Sequence, residues 1–336
     1  MLKRLDKNKI ILLGVVLIAL TLIVADVFHY IKINKSAQSS SAVSAPSVFG
    51  KFAEKKPSVN SKKIDILFLG DLMFDRYIRQ VAQRKGNDFI FQGISGMLSG
   101  HDLVVANLEG PITGNPSISL ASKIGERNNY YFTFDKSVAD SLEKYNIKLV
   151  NLGNNHILNF GENGLDQTEQ FLDAAKVNYF GDYRGSGKRI FIKEINGFSI
   201  GFVNYDQFTA NSIDNALNDI SEAKRKSDFV VVYAHWGTEY ATSPEDKIKN
   251  LAHDFVDSGA DLVIGSHPHV VQPSEDYRGK RIYYSLGNFI FDQYEEKNTK
   301  EGLGVEVEIN PSDSAVNFRE ISVQMSGSGQ TTMPVK

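Results

Sequence analysis

The stretch "LVIGSHPHVVQP", residues 262–273, sets two histidines around a proline directly after a short apolar run. The run at residues 262–265 predicts a buried strand, which places His267 and His269 just beyond its carboxyl end. In open α/β sheets, binding sites form at the carboxyl ends of the strands. The chain has only seven histidines in 336 residues, so this pair predicts a metal or catalytic centre. The proline restricts the backbone and lowers the entropy lost when both imidazoles are ordered.

Four other predicted strands end in residues that can bind a metal ion. The runs are "ILFLGD", "LVVANLE", "LVNLGNNH" and "VVVYAHWG", and the residues at their ends are Asp71, Glu109, Asn155, His156 and His235. Loops that leave one edge of a sheet can converge on a single point. Each residue alone also has a structural explanation, such as a turn, a helix cap or a core contact. Taken with the histidine pair, they favour one shared metal or catalytic centre.

Apolar runs alternate with amphipathic stretches between residues 64 and 324. Stretches such as "DKSVADSLEKYN" (135–146) and "PEDKIKNLAHDFVDSG" (244–259) have helical spacing and open at residues that favour helix starts. This alternation predicts an α/β layered sheet. The later runs "GKRIYYSLGNFIF", "GLGVEVEIN" and "VNFREISVQM" follow one another without helices. They predict strands of a second sheet or of an antiparallel edge.

Composition excludes several classes of protein. An apolar fraction of 42% and a charged fraction of 23% are typical of a globular chain rather than a disordered one. Cysteine is absent, so a metal must be held by His, Asp, Glu or Asn, and a cysteine nucleophile is excluded. The formal net charge of −3 argues against nucleic acid as a partner.

The N-terminal segment predicts a membrane anchor. Basic residues within 1–9 precede an uncharged run at 10–25, whose length lies between that of a signal-peptide core and that of a full span, and the anchor is predicted to extend to residue 30. We expect a single transmembrane helix in the cell membrane, with the remainder of the chain outside the cytoplasm. A cleaved signal peptide is the alternative. A linker rich in Ser, Ala and Lys then occupies 31–63, followed by a domain at 64–324 and a flexible tail at 325–336.

Six short segments, in order, resemble one known family. They are "FLGDLMFDR", "NLEGPIT", "NLGNNH", "HWGTEY", "GSHPHVVQP" and "YSLGNFIFDQ", between residues 68 and 293. They closely resemble the bacterial capsule synthesis protein CapA family, also called the PgsA or poly-γ-glutamate synthesis type. That family is related to the calcineurin-like metallophosphoesterases. The resemblance implies a four-layer αββα sandwich with two metal ions at the strand ends.

The resemblance also implies roles for individual residues. Asp71 is similar to the first metal-binding aspartate of the phosphoesterases, and His235 and His267 would complete that metal position. His269 would bind the other metal. Asn155 would be the strand-end asparagine ligand, and it would form the catalytic pair with His156. Two metals would activate a water and clamp the attacking and leaving oxygens. Mixed nitrogen and oxygen ligands favour Mn, Fe or Zn over Ca or Mg.

The neighbouring His156 resembles the histidine that protonates the leaving group, a general-acid role. The chain departs from the phosphoesterase pattern at two places and from the pattern of the capsule family at a third. Met73 stands where a histidine ligand is expected, and a thioether is a poor ligand for these ions. Asn107 and Glu109 are approximate substitutes for a bridging aspartate. Asn159 replaces an aspartate that could have partnered the catalytic histidine.

Four further residues match family positions and are expected to line or support the cleft: Glu239, Tyr240, Asn288 and Asp292. Three functions then stay open, and whether the chain is an enzyme is left open with them. The favoured one is a membrane-anchored protein of poly-γ-glutamate or capsule polymer synthesis or export, acting with other membrane subunits and carrying a metal-dependent hydrolase site. The alternatives are a metallophosphoesterase for an envelope phosphoester and a non-catalytic polymer-binding module.

Overall fold

The computed structural model describes residues 62–181, 184, 189–208 and 212–334. The predicted segments 1–9 and 10–30, and the linker up to residue 61, lie outside the described residues. Among the residues that are described, none of the helices combines the length and the apolar character that a membrane span requires.

The first sheet is mixed and contains eight strands among the described residues. Its strands are β1 (Ile64–Leu72), β2 (Leu103–Leu108), β3 (Ile147–Asn151), β4 (Asn178–Phe180), β11 (Asn288–Ile290), β12 (Glu301–Asn310), β13 (Ala315–Met325) and β14 (Thr331–Thr332). Along the sheet the order is β14-β13-β12-β1-β2-β3-β4, and the short strand β11 pairs with the end of β1. Strands β1 to β4 run parallel, whereas β12 and β13 form an antiparallel edge.

The second sheet contains six strands in the described part of the chain. They are β5 (Ile190–Ile195), β6 (Phe198–Asp206), β7 (Phe229–His235), β8 (Leu262–Ser266), β9 (Ser274–Tyr277) and β10 (Lys280–Tyr283). Their order is β5-β6-β7-β8-β10-β9, with β6, β7, β8 and β10 parallel. The central strands β7 and β8 are buried along their whole length, as expected for parallel strands covered on both faces.

Seven α-helices of the described chain lie along the outer faces of the sheets. They are α1 (Arg76–Lys85), α2 (Asn87–Phe91), α3 (Ser95–Leu98), α4 (Ser137–Lys144), α5 (Gly161–Ala175), α6 (Ser212–Lys226) and α7 (Asp246–Asp257). Helices α1 to α5 pack on the first sheet, and α6 and α7 pack on the second. A third apolar core joins the two sheets, with residues such as Phe68 from one and Phe202 from the other. The layers are therefore helix, sheet, sheet and helix.

The carboxyl ends of the parallel strands meet at one edge of the two packed sheets. Asp71 pairs in register with Asn107 in the first sheet, and His235 pairs with Ser266 in the second. Near this edge the hydroxyl of Tyr233, on β7, donates a hydrogen bond to the backbone carbonyl of residue 69, on β1. The two strand-end clusters are thus held against each other by the sandwich itself.

The predicted α/β class is confirmed. Of the three runs without helices between them, the last two form the antiparallel edge as β12 and β13, whereas the first supplies β10, parallel to β8, and β11, parallel to β1. Helices α1 to α3 and strands β4 and β5 were not predicted, because each is short or lacks clear periodicity. The predicted flexible tail differs from the structure. Thr331 is buried and the strand β14 pairs with Gln324 and Met325, so the first sheet continues past residue 324. Residues 335–336 lie outside the described part.

Candidate metal centre

Asp71, at the end of β1, is a fully buried carboxylate held by two donors. Its Oδ1 accepts a hydrogen bond of 2.8 Å from Nδ2 of Asn107, and its Oδ2 accepts one of 3.2 Å from the backbone N–H of His267. The second contact links the first sheet to the loop after β8. Hydrogen bonds of this kind fix the direction of a carboxylate that faces a metal ion.

The side-chain amide of Asn107 is used in hydrogen bonds to other polar residues of the site. Its Oδ1 accepts from the side-chain amides of Asn151, at 3.0 Å, and of Asn154, at 3.2 Å. Its Nδ2 is used on Asp71. Asn204, on β6, continues the same network by donating to Asn151. The amide of Asn107 therefore supports the site by orienting Asp71.

Glu109 follows β2 and is completely buried. Neither of its carboxylate oxygens has a hydrogen-bond partner among the residues that the structure describes. Its Oε1 lies 3.5 Å from Nε2 of His269 and 3.9 Å from Nε2 of His156. Burial, and then the neighbouring Asp71 carboxylate, raise the pKa of Glu109 well above its usual value. A buried carboxylate without a donor is costly, and a bound cation would supply the missing partner.

The loop after β8 presents both histidines in unusual backbone conformations. His267 has φ +95° and His269 has φ +59°, in the region that residues other than glycine rarely adopt. Both side chains are buried, with 4% and 3% of their surface exposed. Strain of this kind is typical of residues held in place for function.

The protonation of His269 follows from its neighbour Asn288, on β11. Nδ2 of Asn288 donates to Gln293 and to the carbonyl of Thr299, so its Oδ1 must be the acceptor for Nδ1 of His269, 2.9 Å away. The proton on Nδ1 leaves the lone pair on Nε2, which faces Glu109. A histidine oriented through its other nitrogen is the usual arrangement for a metal ligand.

His235, at the end of β7, is held through both of its ring nitrogens. Its Nδ1 lies 3.0 Å from the hydroxyl of Ser266 and 3.3 Å from Nδ2 of Asn107. Its Nε2 is hydrogen-bonded to Oδ1 of Asn155 at 2.9 Å. These contacts fix the ring at the end of β7 and place Nε2 and the Asn155 oxygen side by side, where a bound ion could take both as ligands.

His156 lies at the border of the site. Its Nδ1 donates to Oδ1 of Asn159, at 3.2 Å, because that oxygen also accepts the backbone N–H of Phe132. The ring of Phe132 packs on the imidazole with centroids 4.4 Å apart. Asn159 thus partners the histidine although the expected carboxylate is absent. Burial lowers the pKa of His156 to about 3, so Nε2 carries a lone pair at neutral pH.

His235 and His267 are also neutral at neutral pH. Burial, together with the neighbouring imidazole of His267, holds the pKa of His235 well below its usual value. Burial, with the nearby imidazole of His269, lowers the pKa of His267 to about 4. Nδ1 of His267 has no hydrogen-bond partner in the described part of the chain. Neutral imidazoles with free lone pairs are the form that binds a metal ion.

The ligand atoms fall into two groups that could each hold an ion. Asp71, Glu109 and His235 form one group, and Glu239, His267 and His269 form the other, with the atoms of each group within 4.8 Å of one another. The nitrogen and oxygen donors, the partnerless oxygens of Glu109 and the lone pair of His269 all fit a divalent transition metal.

Met73 does not take part in either group. It is fully buried in the core between the first sheet and its helices, and its sulfur accepts the backbone N–H of Asp75 at 3.0 Å. The residue where phosphoesterases have a histidine ligand is therefore a packing residue here.

Arg76 is a site residue that sequence reasoning missed, although it ends the segment "FLGDLMFDR". It forms an ion pair with Asp292, and the two side chains are only 10% and 7% exposed. Its guanidinium lies over the rings of Phe132 and Phe291, 5.1 and 5.4 Å from their centroids. The ring of Phe132 packs against His156, and the ring of Phe291 lies 4.9 Å from that of His269. Asp292 thus acts on the site through Arg76, because it does not reach the metal ligands.

A cleft of about 310 Å³ opens beside the centre and includes Arg76, Asn129, Tyr130 and Tyr240 in its walls. Tyr240 is half exposed, and its ring lies 6.3 Å from that of His269. The walls of the cleft are both aromatic and polar, and Tyr240 is the wall residue whose ring neighbours a ligand histidine. Phe208, also missed from the sequence, covers the other side, with its ring 4.6 Å from His267.

Comparison with known proteins identifies one family of bacterial proteins. The profile of the family described as bacterial capsule synthesis protein PGA_cap matches residues 65–293. The PGA biosynthesis protein CapA of Bacillus subtilis is 33% identical over 259 residues, which cover 70% of this chain and 66% of that protein. The capsule biosynthesis protein CapA of Bacillus anthracis is 30% identical over 282 residues, covering 76% of this chain and 66% of that protein.

The chain thus spans slightly less than two thirds of the length of these curated relatives. Among solved structures, that of TT1561 from Thermus thermophilus aligns over 77% of this chain and 99% of that chain, with a TM-score of 0.44 and 8% identity. That likeness is too low to support an argument, so the fold assignment rests on the strand order and the layers. From the profile match and the two Bacillus relatives, the chain belongs to the bacterial capsule synthesis protein family PGA_cap.

Proposed function

We propose that this protein takes part in the synthesis or export of a capsule polymer of the poly-γ-glutamate type, and that it carries a metal-dependent hydrolase site. Membership of the PGA_cap family supports the first part. Glu109 is the main support for the metal-dependent hydrolase site. Both oxygens of this fully buried carboxylate lack a hydrogen-bond partner among the described residues, and His269 and Asp71 lie next to it. The helix–sheet–sheet–helix order supports a sandwich of the metallophosphoesterase type.

The protein's own groups have separable tasks in this proposal. Asp71, Glu109, His235 and Asn155 would hold an ion in the buried part of the site. When bound, a divalent ion such as Mn, Fe or Zn supplies an activated water and a positive charge toward a substrate oxygen. Because its pKa is lowered to about 3, His156 is unprotonated at neutral pH, so in this proposal its Nε2 would take up a proton only during the reaction and then pass it to a leaving group.

The membrane anchor predicted at 10–30 belongs to the proposal as well. It would hold the domain outside the cytoplasm, where a finished polymer emerges, and other membrane subunits of capsule synthesis would be its partners. The names of the two Bacillus relatives refer to PGA or capsule biosynthesis, which is consistent with this placement.

The experiment compares the purified full-length chain with a variant carrying His267→Ala and His269→Ala. Both proteins are reconstituted with Mn, Fe or Zn and incubated with poly-γ-glutamate and, separately, with a chromogenic phosphodiester. We expect metal-dependent cleavage of the polymer by the native chain and loss of at least 100-fold in the variant, the scale of a lost catalytic group. A matched control is His253→Ala, which removes a partly exposed histidine that pairs with Glu275 on the far side of the second sheet.

Equal cleavage by the native and variant chains would contradict the assignment of the site. Cleavage of the phosphodiester alone would favour an envelope phosphoester as substrate. Binding of the polymer without turnover by the metal-loaded native chain would show an assembly module rather than a hydrolase.

A further inference from the structure

Glu239 lies in the loop after β7 and is the only exposed member of the two ligand groups in the described structure. We propose that Glu239 binds a second metal ion together with His267 and His269, at the mouth of the site. This inference rests on the proposed function, because it assumes that the inner group of Asp71, Glu109 and His235 also holds an ion.

The first support is geometric. One ligand atom of each of Glu239, His267 and His269 lies within 4.8 Å of the others, separately from the inner group. Ligand atoms at the usual distance of about 2.0–2.2 Å from one ion lie at most about 4.4 Å apart, so a small inward movement of these side chains would let all three share an ion, with positions left for water or substrate.

The second support is a buried nitrogen. His267 is 4% exposed, and its Nδ1 has no hydrogen-bond partner within the described ranges. The ring of Phe208, 4.6 Å away, shields one side of this imidazole. The lone pair of His269 is on Nε2, since Asn288 accepts the proton of Nδ1. Both histidines therefore offer unprotonated nitrogens, and Glu239 adds the anionic oxygen that such a set requires.

The two loops that carry these residues are joined directly. The backbone N–H of Tyr240 donates to the carbonyl of Pro268, between the two histidines, at 2.8 Å. Nε2 of Gln293 donates to the hydroxyl of Tyr240, while Oε1 of Gln293 accepts from Asn288. Glu239 is thus held next to the histidine loop by its neighbour in sequence, and its place in "HWGTEY" has a structural reason.

The two positions differ in their access to solvent. All three residues of the inner group are fully buried, whereas Glu239 is exposed and its neighbour Tyr240 lines the cleft that contains Arg76. A metal at the outer position would therefore exchange faster and bind more weakly than one at the inner position. It would also be the ion that an incoming anionic group, such as a carboxylate or phosphoryl oxygen, meets first.

The test measures bound metal instead of activity. The full-length native chain, Glu239→Ala and Glu296→Ala are each freed of metal, loaded with Mn or Zn, separated from free ion and analysed for metal equivalents. Glu296 is an exposed carboxylate beyond the cleft and serves as the matched control. We expect two equivalents in the native chain and in Glu296→Ala, and one in Glu239→Ala. In a titration with a chelator, the native chain should release its first equivalent at a concentration at least tenfold below that needed for the second.

Each other result overturns the inference in a recognisable way. Two metal equivalents in Glu239→Ala, or one equivalent in all three proteins, would show that Glu239 does not bind a second ion. Either result would leave the proposed hydrolase site intact. No metal in the native chain after loading would overturn both this inference and the proposed function. A melting curve of metal-free Glu239→Ala that matches the native curve shows that the exposed side chain is not needed for folding.

Discussion

Nε2 of His269, in the loop after β8, lies 3.5 Å from Oε1 of Glu109, which follows β2. The two residues belong to different sheets, so this contact exists only when the sandwich has closed. The core between the sheets is therefore also the scaffold of the site. Because both side chains are buried, holding them together without a cation destabilises the folded state, whereas a bound cation would stabilise it.

Replacing Glu109 by Gln should stabilise the metal-free protein while weakening metal binding. Above its raised folded pKa, the Glu109 carboxylate is charged and buried without a donor, and removing that charge should raise the free energy of unfolding by about 1–3 kcal/mol. The folded-state pKa of Glu109 is raised, so its contribution to stability falls as the pH rises from about 4.5 through the folded pKa. Urea unfolding of metal-free native and variant proteins at several pH values measures the difference.

The difference in unfolding free energy between Glu109→Gln and the native protein should therefore be smallest near pH 4.5 and should grow as the pH rises toward the folded pKa of Glu109. A variant that is less stable than the native protein at every pH would show that Glu109 has a favourable partner without metal, contrary to the structure.

Metal binding near neutral pH should release up to one proton, and Glu109 should be its source. Burial raises the pKa of this carboxyl, so binding of a cation must displace its proton. His156 and His267 contribute none above pH 6, because their pKa values are lowered to about 3 and about 4. Calorimetric titration with Zn in two buffers of different ionisation enthalpy gives the number of protons. Proton release that is unchanged in Glu109→Gln would assign it to another group.

The buried pair of Arg76 and Asp292 should matter for folding more than an exposed pair does. Asp292→Ala leaves the guanidinium buried without its carboxylate, and we expect a loss of about 3–5 kcal/mol in unfolding free energy. Asp276→Ala, which breaks the exposed pair with Arg281, is the control and should cost at most about 1 kcal/mol. Equal losses in urea unfolding would mean that Arg76 finds another partner.

Asn107→Leu should weaken both the fold and the centre. The variant removes the acceptor of the amides of Asn151 and Asn154 and the donor to Asp71, at a cost of about 1–3 kcal/mol for each unpaired group. Affinity for Zn should fall about 10- to 100-fold, the usual effect of losing a contact that orients a ligand. Isothermal titration with Asn317→Leu, an exposed change on the outer strand β13, is the comparison. Unchanged affinity in Asn107→Leu would show that Asp71 is oriented without it.

Most strands of the fold could be predicted because their apolar runs are long, as at residues 229–235 and 262–266. The strand-end position of Asp71, His235 and the histidine pair followed from those runs. The sequence did not reveal that His267 and His269 adopt positive φ, since a proline between two histidines fixes only its own φ.

The supporting residues were harder to predict for a physical reason. Asn151 and Asn154 read as turn residues, and their hydrogen bonds to Asn107 depend on the alignment of β2 and β3. Arg76 sits at the start of the unpredicted helix α1, and its partner Asp292 is more than two hundred residues away in the chain. Contacts between elements so distant in sequence leave no local pattern.

The central claim is that the strand-end cluster is a metal centre, and elemental analysis of the purified full-length chain tests it most directly. The native chain, loaded with Mn, Fe or Zn and freed of excess ion, should retain two equivalents, and a chain with His267→Ala and His269→Ala should retain at most one. Absence of bound metal from the native chain under all three conditions would contradict the account.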